Sequence, residues 1–160
     1  MNNRSAGIEE VDTILERYSN MVFRLAFSRT KNTYDSEDIM QEVFMKYIKS
    51  DVDFDTENHR KAWLLKVTIN CSKNLLGSAW FRKTTSFEDN ISIHMEQNSE
   101  VYKYVLELPR KYRTVIHLFY YEDMATAEIS KVLDLNESTV RSQIHRGRNI
   151  LKEKLKGVEF

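Results

Sequence analysis

The stretch MATAEISKVLDLNESTVRSQIHRGRNILKEKL, from Met124 to Leu155, decides the fold of this chain. Its apolar residues recur every three or four positions, first in a short segment and then in a longer basic one, with a turn near Asp134 to Asn136. Two helices joined by so tight a turn are typical of a helix-turn-helix, whose second helix enters the major groove of DNA. The stretch therefore predicts a C-terminal region that binds duplex DNA.

The second helix of this motif is expected to run from about Asn136, whose side chain can cap the first turn, to Lys154. One side carries a packing stripe. The stripe consists of Val140, Ile144, Gly147, Leu151 and Leu155. The other side carries candidate DNA contacts, because Arg and Asn pair with base edges while Ser and Thr hold phosphates. These are Ser138, Thr139, Arg141, Ser142, His145, Arg146 and Asn149. The alternative is an ordinary solvated basic helix, but the preceding turn and short helix favour DNA contact.

Length and composition limit the remaining possibilities. The 160 residues, 41% of them hydrophobic, suit one ordinary domain or two small ones. Because 24 basic and 24 acidic residues cancel, nucleic-acid binding depends on where the charges lie. One proline and four glycines are too few for an all-β fold, so the apolar periodicity predicts an all-α fold.

The location of the chain is expected to be cytoplasmic. Cys71 is the only cysteine, which excludes an intramolecular disulfide and a cysteine-based zinc site and fits a reducing compartment. Residues 1–10 are polar and predict neither a signal peptide nor membrane insertion.

The apolar stripes predict seven helices, at 8–29, 36–49, 59–78, 100–106, 110–120, 125–133 and 137–155. Residues 83–99 are polar and lack a helical stripe. The predicted architecture is therefore two small helical domains, 8–83 and 100–157, joined by a flexible linker at 84–99. The C-terminal domain contains the helix-turn-helix.

A second basic segment, RKAWLLKVTINCSKNLLGSAWFRK, occupies residues 60–83 and holds six basic residues and no acid. The predicted buried arc of its helix consists of Leu64, Leu65, Ile69, Cys71, Leu75 and Leu76. The opposite arc consists of Trp63, Lys66, Val67, Asn70, Lys73 and Asn74. An exposed tryptophan among lysines and asparagines favours single-stranded nucleic acid, since bases stack on the ring and cations follow the phosphates. The alternative is that Trp63 packs against a neighbouring helix and the lysines are merely solvated.

An acidic, polar strip is predicted on the helix at 36–49, within the segment TYDSEDIMQEVFMKYIKS (residues 33–50). The strip consists of Asp38, Gln41, Glu42 and Met45. The residues left for the core are Ile39, Val43, Phe44 and Ile48. Ser36 is the candidate N-cap, and helix stability alone explains the acids near this end.

Together these segments resemble a bacterial RNA polymerase sigma factor of the extracytoplasmic-function group, a part of the sigma-70 family that carries only regions 2 and 4. The resemblance rests on YDSEDIMQEVFMKYI (residues 34–48), KAWLLKVTINCSKNLL (residues 61–76) and the segment from Leu108 and Pro109 onward. It implies a transcription initiation factor that directs core polymerase to promoters by recognising the minus-ten and minus-thirty-five elements.

The resemblance also implies roles for residues and partners. Residues Asp38, Gln41, Glu42 and Met45 would bind core polymerase, whose contacts are the clamp helices of the largest subunit and the flap. The residues at the minus-ten element would be Arg60, Trp63, Lys66, Asn70, Lys73 and Asn74. Residues 51–58 correspond to a loop that captures a flipped base, and their four acids are unexpected beside DNA. Promoter DNA and an anti-sigma factor are the other expected partners, and no catalytic residue, metal or cofactor is implied.

Four positions depart from the family pattern. Asn74 stands where Asp is usual, and Gln143 where a basic residue is common, which affects promoter preference. Asp134 replaces a turn glycine, which is tolerable because Asp enters the left-handed conformation more easily than most residues. Ala125 replaces a capping Ser or Thr at an expected cost of about 1 kcal/mol.

Two other classes of function compete with this interpretation. A stand-alone helix-turn-helix regulator would bind an operator without polymerase. An enzyme is disfavoured, because the four histidines are scattered and no phosphate loop, HExxH motif or nucleophile elbow occurs.

Overall fold

The computed structural model describes residues 3–79 and 100–158, and all regular structure in these ranges is helical, as predicted. The N-terminal half contains α1 (Asn3–Thr30), α2 (Thr33–Lys49) and α3 (Glu57–Ala79). The C-terminal half contains α4 (Glu100–Leu106), α5 (Arg110–Ile116), a π-helical turn (His117–Tyr121), α6 (Thr126–Leu133) and α7 (Glu137–Leu155). The predicted linker, residues 84–99, lies outside the described residues.

The start of α2 differs from the prediction. The helix begins at Thr33, and the Asn32 side chain accepts a hydrogen bond from the Asp35 amide at 2.8 Å. Ser36 is therefore not the cap; it is fully buried, and its hydroxyl donates to the Asn32 carbonyl at 2.7 Å. The short connection from α1, which ends at Thr30, places Asn32 at the cap position, four residues before the predicted one.

The predicted helix at 110–120 changes its winding after Ile116. From His117 to Tyr121 it forms a π-helical turn, closed by the Glu122 amide donating to the His117 carbonyl at 3.2 Å. This wider turn brings two buried side chains together, and His117 Nε2 lies 2.9 Å from Glu122 Oε2. No pattern of apolar residues distinguishes a single π turn from the α-helix that contains it.

The helices α1, α2 and α3 pack on one another through fully buried residues such as Leu25, Ile39 and Leu64. On α3 the predicted buried arc is partly correct. Leu64, Leu65, Ile69 and Cys71 are buried, whereas Leu75 and Leu76 are only half-buried. Thr68 and Ser72 are also buried. Their hydroxyls tolerate burial because each donates a hydrogen bond to a carbonyl one turn earlier.

In the C-terminal half, α7 packs on α4, α5 and α6. The predicted stripe is confirmed at Val140, Ile144 and Gly147, which are buried. A Cβ atom at Gly147 would lie 2.8 Å from Ile116 Cγ1, so glycine permits the close approach of α5 and α7.

The two halves also pack against each other, through α1 with α5 and α3 with α6, and one cluster of buried apolar residues extends across both. Within residues 3–79 and 100–158, no helix has the length and hydropathy needed to cross a membrane.

Candidate nucleic-acid and protein interfaces

The turn of the helix-turn-helix has the predicted geometry. Asp134 adopts the left-handed conformation, with φ 59° and ψ 48°, in the place of the usual glycine. The Leu135 amide then donates to the Ser130 carbonyl at 3.0 Å and closes the end of α6. At the start of α6, Ala125 offers no capping side chain, but the Glu128 carboxylate accepts from the Ala125 amide at 2.9 Å. Half of a capping box therefore remains.

The second helix of the motif, α7, begins after Asn136, which is the predicted position, but Asn136 does not cap it as predicted. The Asn136 backbone is extended, and its side chain makes no capping hydrogen bond. The first turn is held instead by Glu137, which accepts from the Thr126 hydroxyl at 2.9 Å. The same carboxylate pairs with Arg141 at 3.1 Å. Glu137 thus joins α6 to α7 and orients an exposed arginine.

The predicted DNA face of α7 is free. Six of its seven residues are exposed and only Thr139 is half-buried. The exposed residues are Ser138, Arg141, Ser142, His145, Arg146 and Asn149. Asn149 Nδ2 lies 3.3 Å from His145 Nε2, and a hydrogen bond from Arg146 lowers the pKa of the Tyr112 hydroxyl below its usual range.

Arg148 is a further candidate on α7 that was not predicted from the sequence. The Arg148 Nε donates to the Tyr120 hydroxyl at 2.6 Å, and its guanidinium lies 5.8 Å from the Phe119 ring centre. These contacts hold an exposed cation at a fixed place near the DNA face. The aromatic residues from Phe119 to Tyr121 were the one feature of the sequence that could have indicated these contacts. They reach α7 only through the π-helical turn.

The basic face of α3 is exposed over Lys66, Asn70, Lys73 and Asn74. The tryptophan predicted to be exposed on this face, Trp63, is not exposed. Trp63 is half-buried and meets the rings of Tyr47 and Phe54 edge-on, at 5.9 and 5.7 Å between centroids. The prediction of an exposed Trp63 is wrong, because this position faces α2 and the following loop.

The Arg60 side chain likewise contacts other residues of the N-terminal half. Its side chain is 14% exposed, pairs with Glu57 and lies 3.5 Å from Glu10. The guanidinium also sits 5.2 Å from the Phe54 ring centre. Glu57 in turn accepts from the Tyr18 hydroxyl at 2.5 Å, and this bond is the main reason why the pKa of the Glu57 carboxyl is lowered. These groups hold the first turn of α3.

The loop between α2 and α3 is fixed by one aromatic residue. Phe54 stacks on Tyr47 at 5.9 Å and meets the His59 ring edge-on at 5.1 Å. The carboxylates of Asp51, Asp53 and Asp55 remain exposed around it. The acids of this loop are evident in the sequence, whereas the aromatic contacts that shape it are not.

The predicted strip on α2 is exposed at all four positions, Asp38, Gln41, Glu42 and Met45. It is longer and more apolar than predicted. Tyr34 is 79% exposed at one end and Ile48 is 53% exposed at the other, so the placement of Ile48 in the core is wrong. Spacings of four, three, four and three residues put 34, 38, 41, 45 and 48 on one helical face.

Cys71 behaves as a core residue. It is 1% exposed, and burial raises the pKa of its thiol to about 11. Within the described residues, no cluster of three His, Cys, Asp or Glu side chains could hold a metal ion.

Comparisons with known proteins identify the family to which this chain is similar. The family model for sigma-70 region 2 matches residues 14–82, and that for sigma-70 region 4 matches residues 99–151. The extracytoplasmic-function (ECF) RNA polymerase sigma factors SigW and SigM of Bacillus subtilis are 26% and 29% identical to the chain. Each alignment covers 89% of this chain, together with 87% of SigW and 93% of SigM.

A solved structure supports the fold. The sigma factor RpoE of Bartonella quintana, in complex with the anti-sigma factor NepR, superposes with a TM-score of 0.74 at 20% identity. The superposition covers 94% of this chain and 99% of that one. The chain belongs to the sigma-70 family, as an ECF sigma factor: a transcription initiation factor that directs RNA polymerase to promoters.

Proposed function

We propose that three exposed faces divide the work of this sigma factor: α2 binds core polymerase, α3 binds the opened minus-ten region, and α7 binds the minus-thirty-five element. The observation that carries this proposal is the free polar face of α7, which lies opposite a buried stripe on the same helix. A helix so divided, placed second in a helix-turn-helix, has the chemistry of a major-groove reader.

The α2 face suits a protein partner better than a nucleic acid. Asp38 and Glu42 would repel phosphates, whereas the exposed Tyr34, Met45 and Ile48 offer apolar area. An apolar strip bordered by polar groups is the usual anatomy of a protein interface. The partner that family membership indicates is core polymerase, with α2 on the clamp helices of the largest subunit and the C-terminal half on the flap.

The α3 face suits single-stranded DNA. Lys66 and Lys73 can follow the phosphates, while Asn70 and Asn74 can hydrogen-bond to unpaired bases. Trp63 and Arg60 act here by holding the loop around Phe54. Asn74, where the family usually has Asp, removes a negative charge from this surface.

At the minus-thirty-five element, Arg141 and Arg146 would contact base edges, and Ser138, Thr139 and Ser142 would contact phosphates near the start of α7. His145 and Asn149 extend the same face. Gln143, where a basic residue is common, weakens any phosphate contact at that position. In this proposal Arg141 and Arg146 determine which bases are preferred.

The chain is neutral overall, so its affinity for DNA without polymerase is expected to be weak. Because the structural relative was solved with an anti-sigma factor, we propose such a regulator for this chain as well. We propose a cytoplasmic location, because a protein that binds RNA polymerase at promoters must act where the polymerase is.

The experiment is transcription by core polymerase reconstituted with this chain, on promoters selected by the holoenzyme. A promoter-dependent transcript is expected, and its absence on all selected templates would contradict the proposal. Gel shifts with the free chain test the alternative of a stand-alone regulator. Tight, specific binding without polymerase, especially as a dimer on palindromic sites, would favour that alternative.

A further inference from the structure

A carboxylate lies at the start of α7, beside the proposed DNA face. Glu137 is the first residue of the helix, and its Oε1 accepts from the Thr126 hydroxyl at 2.9 Å. The same oxygen lies 3.1 Å from Arg141 Nη1. Thr126 belongs to α6 and Arg141 to the next turn of α7, so both helices of the helix-turn-helix hold this carboxylate. Two contacts at one oxygen fix the direction of the Glu137 side chain.

The contacts of Glu137 leave other polar atoms of the pair unused. Within residues 3–79 and 100–158, neither Glu137 Oε2 nor the Nε and Nη2 groups of Arg141 have a hydrogen-bond or ion-pair partner. Both side chains are accessible, with 44% of Glu137 and 59% of Arg141 exposed. A carboxylate oxygen only accepts, and a guanidinium only donates. The pair therefore presents a donor edge next to an acceptor, and each side chain holds the other in place.

The position of the pair is suited to reading bases. In a helix-turn-helix, the residues that reach base edges lie near the N-terminal end of the second helix. Glu137 and Arg141 are one turn apart there and share one side of the helix. A carboxylate without a partner would be repelled by the DNA phosphates, but Arg141 neutralises its charge. The acid can therefore approach the floor of the groove.

The order of donors and acceptors in the pair matches one kind of base pair. In the major groove, G·C presents the adjacent acceptors N7 and O6 of guanine and then the N4 amino donor of cytosine. A·T instead presents a donor between two acceptors, followed by the thymine methyl group. A guanidinium edge beside a carboxylate oxygen fits the first order and not the second. Reversal of the base pair reverses the order, so only one orientation fits.

We propose that Glu137 and Arg141 together read one G·C base pair of the minus-thirty-five element. Arg141 donates to N7 and O6 of guanine, and Glu137 Oε2 accepts from N4 of cytosine. Thr126 is a positioning residue, which holds the carboxylate without touching DNA. This inference rests on the proposed function, in which α7 lies in the major groove. It adds an acid to the residues of α7 that decide which bases are preferred.

A purely structural role for Glu137 makes a different prediction. An acid in the first turn and an ion pair across four residues each stabilise a helix slightly. Neither effect depends on the base sequence of the bound DNA, so a variant that lost only helix stability would bind all promoters less well. Base preference at a single position therefore separates the two roles.

The test is selection from a promoter library randomised over the upstream element, using holoenzyme reconstituted from core polymerase and the full chain. The unaltered chain should enrich one G·C pair in one orientation. Glu137→Ala should lower the preference for that pair by roughly 5-fold or more, as expected for one lost base contact, and leave the other positions unchanged. Arg141→Ala should relax the same position, because the two side chains share one base pair.

The matched control is Glu153→Ala. Glu153 is an exposed glutamate of the same helix that pairs with Lys156 at 3.1 Å, so its loss removes an equal charge and a similar ion pair. Every base preference should survive this change. Circular dichroism of the free chains checks that all variants keep their helices.

The role of Thr126 is tested by a pair of substitutions. Thr126→Val removes the hydroxyl at nearly constant size and should weaken the same G·C preference by roughly 2- to 3-fold, as expected for one lost hydrogen bond. Thr126→Ser keeps a hydroxyl and should restore the preference. A loss in both variants would show that the hydroxyl does not act through Glu137.

Three results would overturn the reading of one base pair by Glu137 and Arg141. Preferences could remain the same in the Glu137→Ala holoenzyme, they could fall equally at every position, or Glu137→Ala and Arg141→Ala could relax different positions. Transcription is measured with the same holoenzymes. A missing transcript with the unaltered chain counts against the proposed function, whereas a promoter-dependent transcript with preferences unaffected by Glu137→Ala counts against the role of Glu137 alone.

Discussion

Helices α3 and α7 carry similar basic patterns but have different surroundings. The last helix, α7, packs on the helices of its own half and leaves one whole side free, so a helical wheel separates its buried and exposed residues correctly. The central helix, α3, is bordered by α1, α2 and α6, and only a narrow strip remains exposed. A wheel predicts a face well when the helix has one packing side, and it fails at positions such as Trp63 when there are several.

The largest effect expected from this comparison concerns stability. Leu64→Ala on α3 should lower the free energy of unfolding by about 2–5 kcal/mol, because the residue is fully buried among neighbouring helices. Leu151→Ala on α7 should cost about 1 kcal/mol or less, since that leucine is half-buried. Urea unfolding of both variants measures the difference, and equal losses would remove the distinction between the two helices.

The next effect concerns the free face of α7. Arg141→Ala with Arg146→Ala should weaken holoenzyme binding to the upstream promoter element by roughly 30-fold or more, at about 1–3 kcal/mol per base contact. Lys103→Ala with Lys156→Ala removes the same charge from other exposed sites in this half and serves as the control. Affinity for core polymerase should persist. If it were lost instead, the assignment of α7 to DNA would be wrong.

A smaller effect is expected on α3, whose free strip is narrow. Lys66→Ala with Lys73→Ala should weaken holoenzyme binding to single-stranded minus-ten DNA by roughly 3- to 10-fold and reduce the salt slope by about 1.4, the value for two phosphate contacts on a single strand. Titrations at several salt concentrations measure both quantities. An unchanged slope would mean that these lysines are merely solvated.

The acidic strip of α2 provides the reciprocal test. Asp38→Lys with Glu42→Lys should weaken the pull-down of core polymerase by roughly 10-fold, as expected for close like charges at an interface. Binding of α7 to upstream DNA in the assembled complex should be less affected. An unchanged pull-down would remove these two residues from the polymerase interface.

The smallest effect concerns the start of α6, where the family cap is missing. Ala125→Ser should raise the free energy of unfolding by about 0.5–1 kcal/mol by supplying an acceptor for a first-turn amide. The control is Ala127→Ser, an exposed position within the same helix, which should be neutral or slightly destabilising. Thermal unfolding compares the two. No gain at position 125 would indicate that Glu128 already completes the cap.

The candidate site was predictable where the local pattern was enough. Exposure of Asp38, Gln41, Glu42 and Met45 follows from one helical strip, and the exposed face of α7 follows from another. The left-handed conformation of Asp134 was expected from the family resemblance, because Asp134 stands in the place of the usual turn glycine. Each of these features depends on residues that lie close together in the chain.

Other features depend on residues distant in the chain and were missed. Trp63 is half-buried because it packs against Tyr47 of α2 and Phe54 of the following loop. Arg148 is held by rings that reach it only through the π-helical turn. Ile48 lies outside the core because the apolar side of α2 is already filled by Ile39, Val43 and Phe44.

The sequence by itself determined the all-α fold, the helix-turn-helix and the faces of α2 and α7, because helical periodicity, turn chemistry and charge are local properties. Only the tertiary structure decided that Trp63 packs inward and that the Arg29 to Arg113 contacts join the two halves. These arginines look like surface cations in the sequence, since nothing local shows that Arg29 will donate to the Thr114 hydroxyl and Arg113 to the Ser28 carbonyl. Burial of a cation depends on partners that only the folded chain brings together.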